Sequence, residues 1–448
     1  MTAPVGCYVR PVLARTGARS AELLTALISA CVVLVVGAFV LSTYQRLSPI
    51  DELQHLDSSI KASQGRWYLP RGELIGPEAM RIEACSGIDA GFVPPPCDSD
   101  RLEPSQFQEL GVNTAAGRPS LFYIVTGYAA RVLSEISGAG FLLSARIVSL
   151  YSLVAAAALL AWAVLRLSGS RLLAVSLATA SALLPPVLSL AITVNPDAWS
   201  LLAGTAVSVL ALAALRWRPG RVLWVLAVAL ALTISVKPNF VVLLLIPLIL
   251  AGHAWWRERS PVSAHRFWAT LAAAVLAFGA FAGTLILPLI GSSAFEDPQT
   301  ERFSIPSGSS WPLGQAFEAS LTSFVPLFQG ATVDVFERVG MVGLASFVGV
   351  MLVSGSMSGL VSAPARSRAF ALCAAGVGGL LATPVIVFGA QYVSNVYFGY
   401  PQRYSFVVLP VLALAWAALR PRRRWVFSLA SVGLATSTFY SIVLFSLA

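Results

Sequence analysis

Asp51, Glu52 and His55 fall within five residues of one another, just beyond the first long apolar run of the chain. Two adjacent carboxylates and an imidazole can take a proton from a hydroxyl, hold a divalent ion, or open a helix. Asp51 is the candidate general base, or else a metal ligand. Glu52 is its catalytic neighbour, placed to orient an acceptor or tune Asp51. The alternative is a solvated acidic turn that caps the following helix, with His55 serving hydrogen bonding or packing. Three ligand types in five residues do not by themselves specify a metal site, so metal dependence stays open.

A second set of polar residues carries positive charge. Lys237 is one of only two lysines, and Arg403 stands beside Gln402 and Tyr404. Such cations suit a phosphate group, because charge-assisted hydrogen bonds hold its oxygens and stabilise it as it departs. Arg146 is a further candidate for the same task. Asn195-Pro196-Asp197 could bind ligand hydroxyls or pair with one of the cations. The competing readings are snorkelling of Lys237 and Arg403 to lipid headgroups, an interhelix ion pair for Arg146, and a simple helix start at Asn195.

The elements that position these residues are membrane spans. Of 448 residues, 57% are hydrophobic and 11% charged, and the mean hydropathy is +0.77. Such a chain is an all-α polytopic membrane protein, since only helices satisfy their own backbone across lipid without closing a barrel. Apolar runs predict about eleven transmembrane helices, at 22–44, 142–165, 172–192, 196–216, 221–236, 238–256, 267–290, 339–361, 369–391, 404–420 and 425–447. The first is read as a retained signal anchor, its apolar run extending from Leu23 to Val40. The stretch 119–136 is interrupted by Arg131 and Glu135 and is read as a juxtamembrane or re-entrant helix.

Charge placement orients the bundle. With the N-terminus inside, the cytoplasmic segments collect most of the arginines, opposed only by Glu22 and Glu258, while the exterior segments are net acidic. The basicity is thus a topology signal, and no clustered Lys/Arg footprint for nucleic acid is present. One transmembrane domain spans 1–448. Two longer segments face outward, 45–138 with its juxtamembrane helices and 291–338, the latter a candidate cover for a cleft or an interfacial helix. Cys85 and Cys97 in the first are expected to form a disulfide, closing a loop that stabilises by about 2–3 kcal/mol.

All the reactive candidates then converge at one face. Their order resembles that of the GT-C superfamily of integral membrane glycosyltransferases. Ser48-Pro49-Ile50-Asp51-Glu52-Leu53-Gln54-His55 is similar to the acidic "PDE-x-x-H" element of the first outer loop, and Gly117-Arg118-Pro119-Ser120-Leu121-Phe122-Tyr123 to the later "H-P-P-L-Y-Y" element. Val194-Asn195-Pro196-Asp197-Ala198 resembles the "N-P-D" turn of a bacterial branch. Ser235-Val236-Lys237-Pro238 and Gln402-Arg403-Tyr404 resemble its "K-P" and "R-Y" positions. Arg118, Ser120 and Ile50 depart from the usual pattern, which implies an unusual acceptor pocket.

The resemblance implies a multi-pass enzyme of the bacterial plasma (inner) membrane, with cytoplasmic N-terminus and extracytoplasmic C-terminus and active site. It further implies transfer, with inversion, of a sugar from a polyprenyl-phosphate donor to a cell-envelope glycan or glycolipid. Asp51 and Glu52 would be catalytic, with His55, Arg118, Arg146, Asn195, Asp197, Lys237, Gln402, Arg403 and Tyr404 binding substrate. A proton- or ion-coupled transporter or flippase of envelope precursors is the rival class, and a noncatalytic scaffold a third. Neither an internal repeat nor a mid-span carboxylate, which transport would favour, is visible in the sequence.

Overall fold

The first apolar run forms helix α1, Thr16–Thr43, and the chain leaves it through a short connection into α2, Glu52–Ser63, and α3, Pro77–Ser86. These belong to a computed structural model that describes residues 16–49, 51–88, 92–117, 121–291, 342–394 and 402–419. Among the described residues the chain is helical, with only two isolated β-bridges, Leu47 with Ile88 and Leu74 with Val112. Seven helices there are long and apolar enough to cross a membrane: Ser20–Thr43, Phe141–Ser168, Pro196–Ala214, Pro219–Val236, Pro238–Glu258, Pro261–Ala280 and Arg368–Gly389. The protein is therefore a polytopic helical membrane protein. The eleventh expected span, 425–447, lies outside the described residues, as do Arg118 and most of 291–338.

The stretch expected to be juxtamembrane forms α4, Leu121–Ser137. It buries Phe122, Thr126 and Ala130 along one stripe, with Tyr123 and Gly127 beside them, the three-and-four spacing of an amphipathic helix. Its other face leaves Val125, Tyr128, Val132 and Ile136 exposed. Gly127 is required here, since a Cβ would collide with the Ser59 carbonyl of α2.

Helix α5, Phe141–Ser168, is the central post and packs on α1, α4 and α6, Arg171–Ala182. The expected span 172–192 is broken. Pro185 and Pro186 start a separate α7, Pro185–Ala191, because a residue preceding proline is driven out of the helical region; Leu184 takes ψ 123°. The chain continues through α8, Ser200–Ala214, α9, Pro219–Val236, α10, Leu245–Glu258, and α11, Pro261–Gly291. Further along the chain come α12, Val342–Ser362, α13, Arg368–Ser394, and α14, Leu409–Leu419.

Three of these helices share one kind of entrance. Tight 3-10 turns at Pro196–Trp199, Pro238–Leu244 and Gln402–Val408 lead into α8, α10 and α14. Each carries or adjoins one candidate charge: Asp197, Lys237 or Arg403. Gly204 lets α8 and the α14 entrance close up, because a Cβ there would collide with the Val407 carbonyl.

Candidate active site

Asn195 starts the α8 entrance as a helix cap, its Oδ1 accepting from the Asp197 amide at 2.9 Å, with Pro196 at the first helical position. That turn places Asp197 with its side chain fully buried. Lys237, between α9 and the next entrance, donates to Asp197 Oδ1. Arg403 donates its Nε–H to the other oxygen, Oδ2, at 3.0 Å. Two cations that stand far apart in sequence are thus held by one buried carboxylate. The ring of Tyr404 supports both, 4.4 Å from Lys237 Nζ and 5.5 Å from the Arg403 guanidinium carbon.

Asp51 lies on the open side of this cluster. Its Oδ2 is 3.9 Å from Arg403 Nη2, an ion pair too long to be a hydrogen bond. Exposure rises from 0% for Asp197 through 12% for Lys237 and 17% for Arg403 to 49% for Asp51, so the cluster runs from a buried anchor to an accessible acid. Asp51 precedes α2 with φ 54° and ψ 16°, in the left-handed region, and makes no side-chain capping bond. The helix-cap alternative is therefore not what its carboxylate does. Such a conformation costs a non-glycine residue about 1 kcal/mol or more, and is retained only where the surroundings enforce it.

Glu52 supplies that enforcement. Its fully buried carboxylate meets Arg146 of α5 through Nε–Oε1 at 2.9 Å and Nη2–Oε2 at 2.8 Å. It also accepts from the Ser48 amide at 2.6 Å and the Val194 amide at 2.9 Å. Arg146 turns its remaining N–H groups to the carbonyls of Tyr44 at 3.0 Å and Arg46 at 2.6 Å. The end of α1, the start of α2, the middle of the bundle and the turn before Asn195 are thereby tied together. Adjacent in sequence, Asp51 and Glu52 have opposite surroundings: one is half open beside a cation, the other is enclosed by four donors.

His55 faces Tyr123 of α4, Nδ1 to the phenol oxygen at 2.7 Å, with the rings stacked 5.7 Å apart. The three potential metal ligands of the first loop do not converge, and among the described residues no group of three His, Cys, Asp or Glu does. Arg118 lies outside the described residues. Gln402 begins the α14 entrance, but its side chain is likewise outside them.

The long segment between α1 and α4 carries a polar core that sequence reading missed. Asp57 accepts from Lys61 Nζ at 2.7 Å, Asn113 Nδ2 at 2.7 Å and the Gly76 amide at 2.9 Å. Lys61 also reaches Glu73 at 3.1 Å. Burial pushes the Glu73 carboxyl up, but Lys61 and Arg66 outweigh it and hold the group below its ordinary value. The four-residue spacing of Asp57 and Lys61 was the available signal. Cys85 and Cys97 are disulfide-bonded, with Cα atoms 4.5 Å apart, and close the loop next to α3. Within α3, Glu83 is buried with no partner for Oε1 among the described residues, and burial raises its carboxyl to about 7 against the hydrogen bond from Gln108.

No protein-family model and no curated protein matches the chain. The chemistry open to the site is that of its own groups: an accessible carboxylate to receive a proton, and two adjacent cations whose further N–H donors suit phosphate oxygens.

Proposed function

We propose that the protein is a membrane glycosyltransferase of the GT-C kind, which moves a sugar from a polyprenyl-phosphate donor to a hydroxyl of a cell-envelope glycan or glycolipid. One observation carries the reading: Asp51 is held uncapped and half open beside Arg403, which shares the buried Asp197 with Lys237. The order of the motifs supports it.

In this reading the polyprenyl tail stays in lipid while the sugar phosphate enters beside Lys237 and Arg403. Asp51 takes the proton of the acceptor hydroxyl, whose oxygen attacks the anomeric carbon. The bond from that carbon to the phosphate oxygen breaks, and its electron pair leaves with polyprenyl phosphate. A single displacement inverts the anomeric configuration. Glu52 and Arg146, expected to act on substrate, instead position Asp51, because their hydrogen-bonding groups are spent on each other and on backbone. Asn195 fixes the turn that buries Asp197, and His55 with Tyr123 docks α4 on α2. The finer topology belongs to the same proposal: about eleven spans in a bacterial plasma membrane, N-terminus cytoplasmic, site extracytoplasmic.

Purified protein in proteoliposomes with a panel of polyprenyl-phosphate monosaccharides and a hydroxyl acceptor tests this. Release of polyprenyl phosphate with an inverted glycosidic product is expected. Movement of the donor across sealed vesicles without such release would establish the transporter class and overturn the reading.

A further inference from the structure

The end of the bundle opposite the candidate active site has a cavity of its own. It lies between the C-terminal ends of α8 and α10 and the start of α13, lined by Arg216, Arg257, Glu258, His253 and Arg368 over a floor of Leu215, Leu250 and Ala371. Its volume is about 160 Å³, ample for several waters or one phosphate group. The lining holds three arginines and one glutamate, with Glu258 paired to Arg257, so its formal charge is positive.

Two further observations set its depth and chemistry. Trp224, Trp255, Trp256 and Trp268 are exposed on the neighbouring helices α9, α10 and α11, and exposed tryptophans of this kind lie at the headgroup level of a bilayer. The cavity is thus at the level where lipid phosphates lie. His253 hydrogen-bonds through Nε2 to the Ala365 carbonyl at 2.8 Å; a carbonyl only accepts, so Nε2 carries a proton and the contact ties α10 to the turn before α13 beside the arginines.

We propose that this cleft binds a phosphate group, held by Arg216, Arg257 and Arg368, and that its source is the headgroup of an anionic phospholipid in the leaflet opposite the candidate active site. The apolar floor accommodates the glycerol backbone below the phosphate. A lipid bound there bridges α8, α10 and α13, and the tight entrances at the far ends of α8 and α10 carry or adjoin Asp197 and Lys237.

The test uses the full chain in nanodiscs containing equal phosphatidylglycerol and phosphatidylcholine, with retained lipid counted by native mass spectrometry after extraction. The wild type should retain phosphatidylglycerol preferentially. Arg216→Gln and Arg368→Gln should each reduce that preference about five-fold, the effect of one headgroup-proximal cation, and by clearly more than Arg221→Gln, on the same side but outside the cleft. Arg216→Lys keeps the charge and should keep most of the preference, which separates loss of the site from loss of the fold. In a second arm, inorganic phosphate is added to all-phosphatidylcholine discs: thermal stabilisation abolished by Arg216→Gln, without phosphatidylglycerol preference in the first arm, supports the phosphate site and assigns it to a soluble ligand. Absence of both effects, or an equal loss in Arg221→Gln, overturns the proposal.

Discussion

Glu52 and Arg146 meet across 94 residues as a doubly hydrogen-bonded pair, at 2.9 and 2.8 Å, with both side chains almost wholly buried. The pair connects the start of α2 to the central post of the bundle, and through Val194 to the turn that carries Asp197. Stability and the placement of Asp51 both depend on this connection.

Removing one partner leaves a buried charge uncompensated. Glu52→Gln is expected to destabilise the protein by about 3–5 kcal/mol, seen as a large fall in thermal transition in detergent. The Glu22–Arg166 pair is the control. It is partly exposed, with Arg166 45% accessible, and Glu22→Gln should cost less than about 1 kcal/mol.

Lys237 and Arg403 should act on the lipid donor. Arg403→Gln or Lys237→Met is expected to weaken donor use by roughly 10- to 100-fold, the worth of one hydrogen bond to a charged group. Arg403→Lys restores charge without the planar fork and should recover only part of the loss. Steady-state kinetics against donor concentration checks this, and an effect confined to the acceptor would contradict it.

The close approach at Gly204 offers a purely steric test. Gly204→Val pushes against the Val407 carbonyl and should displace the Gln402–Val408 entrance from Asp197, costing about 1–3 kcal/mol of stability together with turnover. Gly220→Ala, where a Cβ meets nothing within 4 Å, should change neither measurement.

Glu83 gives the segment around α3 a pH dependence of definite sign. Its folded value of about 7 exceeds its ordinary 4.5, so between those values the folded state holds a proton that the unfolded state has lost. Stability present below pH 4.5 is therefore lost as pH rises to 7, by on the order of 3 kcal/mol. Protection of the Pro77–Ser86 amides from hydrogen exchange, relative to the intrinsic base-catalysed rate at each pH, should fall across that window, and Glu83→Gln should abolish the fall.

Much of this was legible because charge in an apolar chain is conspicuous. Lys237 and Arg403 interrupt hydrophobic runs at span ends, and the structure gathers both with Asp51. The Cys85–Cys97 bond follows from two cysteines within one long loop. Other features were hidden for physical reasons. Nothing local separates Asp51 from Glu52, since their difference arises from Arg146, Ser48 and Val194, contacts that depend on the folded bundle. Pairing of Asp197 with one of the cations was readable, but its sharing between Lys237 and Arg403 depends on a contact across 206 residues. The break before α7 was readable in Pro185-Pro186, but the surrounding apolar run masked it. Glu83 gave no pattern at all, because its burial comes from tertiary packing rather than from periodicity.

The most direct measurement is sugar transfer from the polyprenyl-phosphate donor by Asp51→Asn, compared with wild type at matched donor occupancy. The substitution keeps size and the 3.9 Å neighbourhood of Arg403 while removing the proposed base, and turnover should fall by about 10²- to 10⁴-fold with the fold intact. Turnover equal to wild type would contradict the assignment of Asp51 as the group that receives the acceptor proton.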